Sequence, residues 1–272
     1  MKIGVTSLGM AGKPLTEALP LMAALGAEAT ELNGRPGVHP DILWGKGDTT
    51  KVKKMLREHG ITATSLGGYS DFAQLDPAGL EAQITQLVGY AQRAADLEIP
   101  VLRAFGGDTK EGHTLADFRG SIVKGFEEAL RRTEGLGIVI GIENHGKLTN
   151  DGDFMREVLN RIGSPRLGVM LDTGNFAWAG HSLANVERFF DDLLPAIFSL
   201  HIKDGIWHAN GEFEFVPAGR GKMPLPRLLA GLASRQFAGG VISEYEGNAP
   251  YVDGTRESVA YLRGLRDGIM LP

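Results

Sequence analysis

The sequence predicts an α/β fold, a (β/α)8 or TIM barrel built as one domain over residues 1–272. Three observations carry that prediction. Short β-branched runs alternate with longer stretches of helical spacing, the pattern of parallel strands joined by crossover helices. Eight runs and eight stretches can be counted, the number that closes such a barrel. The chain, 272 residues with 43% hydrophobic and 22% charged side chains, has the material for one large core.

The first strand is expected over 2–7 ("KIGVTS") and the first helix over 14–25, with Pro14 in the opening turn, where no N–H is needed. Strand two (29–34, "ATELNG") precedes a helix over 49–59, whose "KVKKMLREHG" reads as a solvated face. Strand three (61–70) leads to a helix over 77–97 that opens at Pro77, and strand four (101–107, "VLRAFGG") to a helix over 115–135. Strand five (137–145, "GIVIGIENH") is followed by a helix over 153–161, and strand six (167–176, "LGVMLDTGNF") by one over 183–193. Strand seven (197–204, "IFSLHIKD") is separated from its helix (224–234) by the inserted loop "GIWHANGEFEFVPAGRGK". Strand eight (239–247, "GGVISEYEG") and a helix over 254–266 close the series.

The rival doubly wound sheet would place G-x-G-x-x-G after strand one. That turn reads "SLGMAGKP", with Gly9 and Gly12 but no third glycine in phase, and Lys13 is followed by Pro14, which removes a P-loop. A net charge of -5 argues against a nucleic-acid partner, since such binding needs clustered Lys and Arg. The absence of cysteine excludes a disulfide, a thiolate nucleophile and a Cys-ligated zinc, so a metal site must be made of His and carboxylates. No apolar leader precedes strand one and no run reaches membrane-spanning length, so a cytoplasmic enzyme without a membrane partner is expected.

In a barrel the C-terminal ends of the strands converge on one mouth. Strand five ends in Glu143 and His145, strand six in Asp172 and Asn175, strand seven in His201, Lys203 and Asp204, and strand eight in Glu244 and Glu246. Glu143, Asp172, His201 and Glu244 follow one another at intervals of 29, 29 and 43 residues, each about one βα unit, the last lengthened by the insertion. Three carboxylates aimed with one imidazole at one spot repel unless a cation joins them. Singly, each would read as a helix cap or a satisfied loop residue; four in step read as the ligands of one divalent ion. Hard oxygens with a single imidazole suit Mn²⁺ first, with Mg²⁺, Co²⁺ or Zn²⁺ also accommodated.

"GIENHG", "LDTGNF", "SLHIKD" and "ISEYEG", in this order and spacing, resemble the sugar phosphate isomerase/epimerase family of xylose isomerase-like TIM barrels. That family includes ketose 3-epimerases, hydroxypyruvate isomerase and inosose dehydratase. The resemblance implies that Glu143 and Glu244 are both ligands and the acid/base pair, and that Asp172 and His201 are ligands only. It also implies that Arg220, in "AGRG", binds a substrate oxygen, and that the partner is a small carbohydrate handled by a homodimer or homotetramer. Family epimerases place a His three residues after the strand-six aspartate, where this chain has Asn175. Epimerisation, aldose–ketose isomerisation and dehydration or lyase chemistry all remain open on these ligands, as does a silent sugar-binding role. An endonuclease IV-type site would need further His at strand ends that here read "GGYS" and "AFGG".

His145, of the same parity as Glu143, is expected to contact substrate or to support the ligands. His208, in the inserted loop, is a candidate wall or lid residue, and Asn175 and Lys203 complete the set of substrate-binding candidates. Lys203 and Asp204 could equally pair within the rim. Tyr69 and Phe105 are candidates for either the pocket or the core. His39, His59, His113 and His181 are expected at the surface.

Overall fold

A computed structural model describes residues 1–270, so the last two positions of the predicted domain lie outside the described residues. The strands in chain order are β1 (Lys2–Thr6), β2 (Ala29–Asn33), β3 (Thr62–Gly67), β4 (Val101–Phe105), β5 (Val139–Glu143), β6 (Leu167–Asp172) and β7 (Ile197–Ile202). An antiparallel hairpin, β8 (Asp204–Trp207) and β9 (Phe213–Val216), precedes the last barrel strand, β10 (Gly240–Ser243). Eight strands form a closed parallel barrel in which β10 lies between β7 and β1, with Val5 opposite Ser243 at the seam.

The helices are α1 (Leu15–Ala24), α2 (Asp48–Glu58), α3 (Pro77–Asp96), α4 (Leu115–Arg132), α5 (Gly152–Ile162), α6 (Asn175–Trp178), α7 (Leu183–Leu193), α8 (Leu225–Ser234) and α9 (Tyr251–Met270). Their ends follow local chemistry. Asp76 caps α3, accepting from the Ala78 and Gly79 amides, with Pro77 at the first helical position. Asp151 caps α5, which stops at Gly163 with φ of 61°. Among the described residues no helix is long and apolar enough to cross a membrane.

Alternation along the strands divides the labour. Leu102, Ala104, Ile140 and Ile142 are fully or almost fully buried hydrophobes, whereas Arg103 and Glu143 have the opposite parity and bring polar groups to the upper interior. Lower down the barrel is tight: a Cβ on Gly240 would lie 2.2 Å from Thr64 Oγ1 of β3.

The structure corrects several sequence expectations. Strand six stops at Asp172 rather than reaching residue 176, because the Gly174 and Asn175 amides turn back to Asp172 Oδ1 (2.9 and 3.0 Å) and start α6. The inserted loop is not loop throughout; its alternating "FEFV" pairs with "DGIW" as β8–β9. Strands three, five, seven and eight are each shorter at the C-terminal end than predicted, because their last polar residues leave the ladder to form the mouth.

The interior packing sets a test of the fold. A Cβ on Gly4 would lie 2.2 Å from the Ala29 carbonyl oxygen and 2.7 Å from Ile242 Cδ1. Gly4→Ala must therefore push β1 from β2, at a cost of about 1–3 kcal/mol as in other overpacked cores. Urea unfolding should show the lowered midpoint; an unchanged midpoint would contradict the tight interior.

Candidate metal centre

Glu143 and Asp172 are the last residues of β5 and β6, and His201 is the penultimate residue of β7. Glu244 lies just past β10, where its amide still donates to the Ile202 carbonyl (3.0 Å). Asp172 and His201 stand opposite each other in the ladder. One potential ligand atom from each of Glu143, Asp172, His201 and Glu244 can be chosen so that all lie within 4.8 Å of one another, and all four residues are buried.

The neighbouring sequence fixes these groups. Asn144 points away from Glu143 and bonds both backbone groups of Asp172, accepting from its N–H (2.8 Å) and donating to its carbonyl (2.9 Å). The two α6 amides hold Asp172 Oδ1, which leaves Oδ2 for the cluster. His201 Nδ1 lies 3.1 Å from Glu244 Oε2 and 3.7 Å from Glu143 Oε1.

Two buried charges that the sequence reading did not single out complete the cluster. Arg103 of β4 donates from Nε to Glu31 Oε1 of β2 (3.0 Å) and from Nη1 to Glu143 Oε2 (2.9 Å). Glu31 Oε1 in turn lies 3.3 Å from His201 Nε2. The signal was there: an Arg inside the apolar run "VLRAF" and a Glu inside "ATELN", each at an inward position.

These residues fit a divalent cation on two observations. His201 Nδ1 and Asp172 Oδ2 are buried and complete no hydrogen bond, a state that is costly unless something else binds them. Asp172 Oδ2 does lie 3.1 Å from Lys203 Nζ, so it has a charge nearby without an aligned donor. Counted with His201 neutral and every carboxyl ionised, the four carboxylates of this cluster, Glu31, Glu143, Asp172 and Glu244, face two buried cations, Arg103 and Lys203. Two negative charges are left over, which a divalent ion would neutralise.

The ionisation equilibria register the same imbalance. Burial opposes the charge on Glu143, but Arg103, His145 and His201 hold its carboxyl well below the usual range. At Glu244 burial is likewise overcome, by His201 and Lys203. At Asp172 burial prevails, Glu244 and Glu143 add to it against Lys203, and the carboxyl is pushed up to about 7. Burial disfavours His201 as a cation, yet Glu244 and Glu31 hold its pKa well above the ordinary imidazole value.

The substrate-binding candidates divide. His145 is half-exposed, stacks on Phe105 with centroids 4.1 Å apart, and places Nδ1 3.5 Å from Glu143 Oε1. Asn175 is buried and donates to the Asn144 carbonyl (2.9 Å), while its Oδ1 lies 3.3 Å from Lys203 Nζ. Lys203 Nζ also lies 3.1 Å from Glu244 Oε2 and 3.0 Å from Glu246 Oε2. His145, Asn175, Trp178, Lys203, Phe215 and Glu246 line a cavity of about 200 Å³ at the mouth. It adjoins one of about 310 Å³ beside Tyr69 and Phe105. On the other side lies one of about 560 Å³ beside the hairpin, where His208 Nε2 is 2.6 Å from Glu214 Oε2.

Arg220 is not brought to the cluster. It is exposed and donates from Nε to Glu257 of α9. The glycines of "AGRG" serve Asp204 instead: the Gly219 and Gly221 amides donate to its Oδ2 (2.9 and 3.0 Å) and the Met223 amide to its Oδ1 (3.0 Å). A Cβ on Gly221 would come within 2.0 Å of that carboxylate. Asp204 thus ties down the base of the hairpin while its neighbour Lys203 faces Asp172 and Glu244. His39 is also corrected: it is buried, with Nδ1 2.8 Å from the Lys13 carbonyl oxygen.

The chain is similar to known proteins in both sequence and fold. It is 24% identical over 200 residues to an inosose isomerase of Halalkalibacterium halodurans, covering 71% of this chain and 70% of that protein. Its fold matches a zinc-bound IolI protein with a TM-score of 0.81 at 18% identity, covering 100% of both chains. It matches a D-tagatose 3-epimerase-like protein with a TM-score of 0.79 at 19% identity, covering 99% of this chain and 100% of the other. The sequence model described as xylose isomerase-like TIM barrel matches residues 19–265. The closed eight-stranded barrel and this match together place the chain in the xylose isomerase-like TIM barrel family.

Proposed function

We propose that the protein is a divalent-metal-dependent isomerase or epimerase of a sugar, sugar phosphate or keto-polyol, working by proton transfer through an enediolate. The observation that carries this reading is the meeting of Glu143, Asp172, His201 and Glu244 at one buried point, in contact with His145 and Lys203 of the cavity lining. The inosose isomerase and epimerase-like names of its relatives support the reaction class, and the zinc of the IolI protein supports a metal in this fold.

Asp172 and His201 act as ligands, and Glu143 and Glu244 as ligands that also exchange protons. Mn²⁺ is the ion first expected from the oxygen-rich set, with Mg²⁺, Co²⁺ and Zn²⁺ as the other candidates. When bound, the ion is a Lewis acid that polarises neighbouring sugar oxygens and makes the adjacent C–H more acidic. Glu143 and Glu244 are both held in the ionised form, as a proton-abstracting base must be. One carboxylate removes the proton and the planar enediolate takes one back. Return to the opposite face of the same carbon is epimerisation, and return to the neighbouring carbon is isomerisation. His145, Asn175 and Lys203 line the cavity above and are placed to orient the sugar hydroxyls, and Trp178 offers an apolar wall.

Incubation with a panel of ketoses in D₂O, with and without EDTA, tests the chemistry. Solvent deuterium should enter the carbon next to the carbonyl only when metal is present. Glu143→Gln and Glu244→Gln should each slow exchange by about 10²-fold or more, the usual scale for loss of a general base. Exchange that survives EDTA, or loss of a hydroxyl without exchange, would contradict the proposal; the latter would point to a dehydratase or lyase on the same ligands.

Metal affinity should also depend on pH. Asp172 at about 7 and His201 above its ordinary value hold protons that must leave before either can coordinate. Affinity should therefore rise from about pH 6 to pH 8, with protons released into the buffer on binding. Titration calorimetry in buffers of different ionisation enthalpy reads both, and a pH-independent affinity without proton release would count against these ligands.

A further inference from the structure

We propose that Glu31 and Arg103 are positioning residues, which select the nitrogen of His201 and the oxygen of Glu143 that are presented to the metal and the substrate. The inference rests on the metal reading above and adds to it a pair of residues outside the ligand set.

The geometry is a chain of alternating charge across four strands. Glu31 of β2 faces His201 Nε2 at 3.3 Å, so the ring turns its other nitrogen, Nδ1, toward Glu244 and Glu143. Arg103 of β4 holds Glu143 by Oε2, so Oε1 is the oxygen turned toward His201 Nδ1 and His145 Nδ1. The two selections are joined, because the same guanidinium also holds Glu31 Oε1.

Three features show that the fold makes room for this pair. Gly67 of β3 lies between β2 and β4, and a Cβ there would stand 2.7 Å from Arg103 Nη2 and 2.9 Å from Glu31 Oε1. Ser65 of the same strand donates to Glu31 Oε2 (3.3 Å), which secures the oxygen that Arg103 does not. The guanidinium is covered by aromatic rings, its central carbon 4.5 Å from the Phe105 centroid and 5.2 Å from that of Tyr69. A ligand imidazole whose other nitrogen faces a carboxylate is the usual way a metal site fixes ring orientation. Here Arg103 extends that support to a second ligand.

The test compares the full-length protein with Glu31→Gln, Arg103→Lys and Ser65→Ala, and with Glu98→Gln, which breaks only the exposed Lys53–Glu98 pair. Calorimetry with Mn²⁺ gives affinity, thermal unfolding of the metal-free forms gives stability, and the D₂O assay gives kcat and KM. Glu31→Gln should weaken Mn²⁺ binding about 10- to 100-fold, the range for groups that orient metal ligands. Arg103→Lys keeps the charge but not the fork, and should lower kcat more than it raises KM. Ser65→Ala should give a smaller loss of affinity in the same direction, and it carries the test if the Gln variant does not fold. Glu98→Gln should match the wild type.

A purely structural ion pair would lower the unfolding temperature of Glu31→Gln and Arg103→Lys while leaving Mn²⁺ affinity and kcat unchanged, which would overturn the inference. If the wild type binds no Mn²⁺ that His201→Gln abolishes, the metal reading itself falls and this inference with it.

Discussion

Like charges buried together are the constraint on which this molecule turns. Four carboxylates lie within a few side chains of one another in the upper barrel, and all four are buried, where charge is costly. Arg103 and Lys203 neutralise half of that charge. The remainder appears as an aspartate pushed up to about 7 and an imidazole held protonated beyond its ordinary range. Without an ion the protein retains protons; with one it would release them.

The barrel makes such crowding attainable. Parallel strands deliver all their C-terminal ends to the same rim, and alternation sends every second side chain inward. Below, small residues such as Gly4 and Gly240 let the strands close tightly. Above, the same inward parity carries Glu31, Arg103, Glu143, Asp172, His201 and Glu244, so the transition from packed core to charged site occurs within a single strand length. The loops then fix orientation: Asn144 locks the β5 and β6 ends together, and Asp204 anchors the hairpin that walls the mouth.

Much of this was legible in the sequence because it is written as period. Apolar runs interrupted by acidic or imidazole groups at intervals of one βα unit pointed to the four residues that cluster, and the alternation of strand and helix patterns gave the barrel. What was missed has physical reasons. Glu31 and Arg103 sit inside strands, where only tertiary parity reveals that they face inward toward the site. Arg220 lies away from the cluster, paired with Glu257, while the glycines beside it bind Asp204, and a short motif does not disclose which of its groups is used. The hairpin β8–β9 is hard to read because its strands are four residues each and β9 is half-buried along its whole length. His39 sits in a loop, and its burial depends on the chain folding back over it.

The most direct measurement is anomalous diffraction from crystals soaked in Mn²⁺ and collected near the manganese edge. The account predicts a strong peak bounded by Glu143, Asp172, His201 and Glu244, with Nδ1 of His201 as the ligating nitrogen. No peak there, or an ion held only by exposed carboxylates elsewhere, would contradict it.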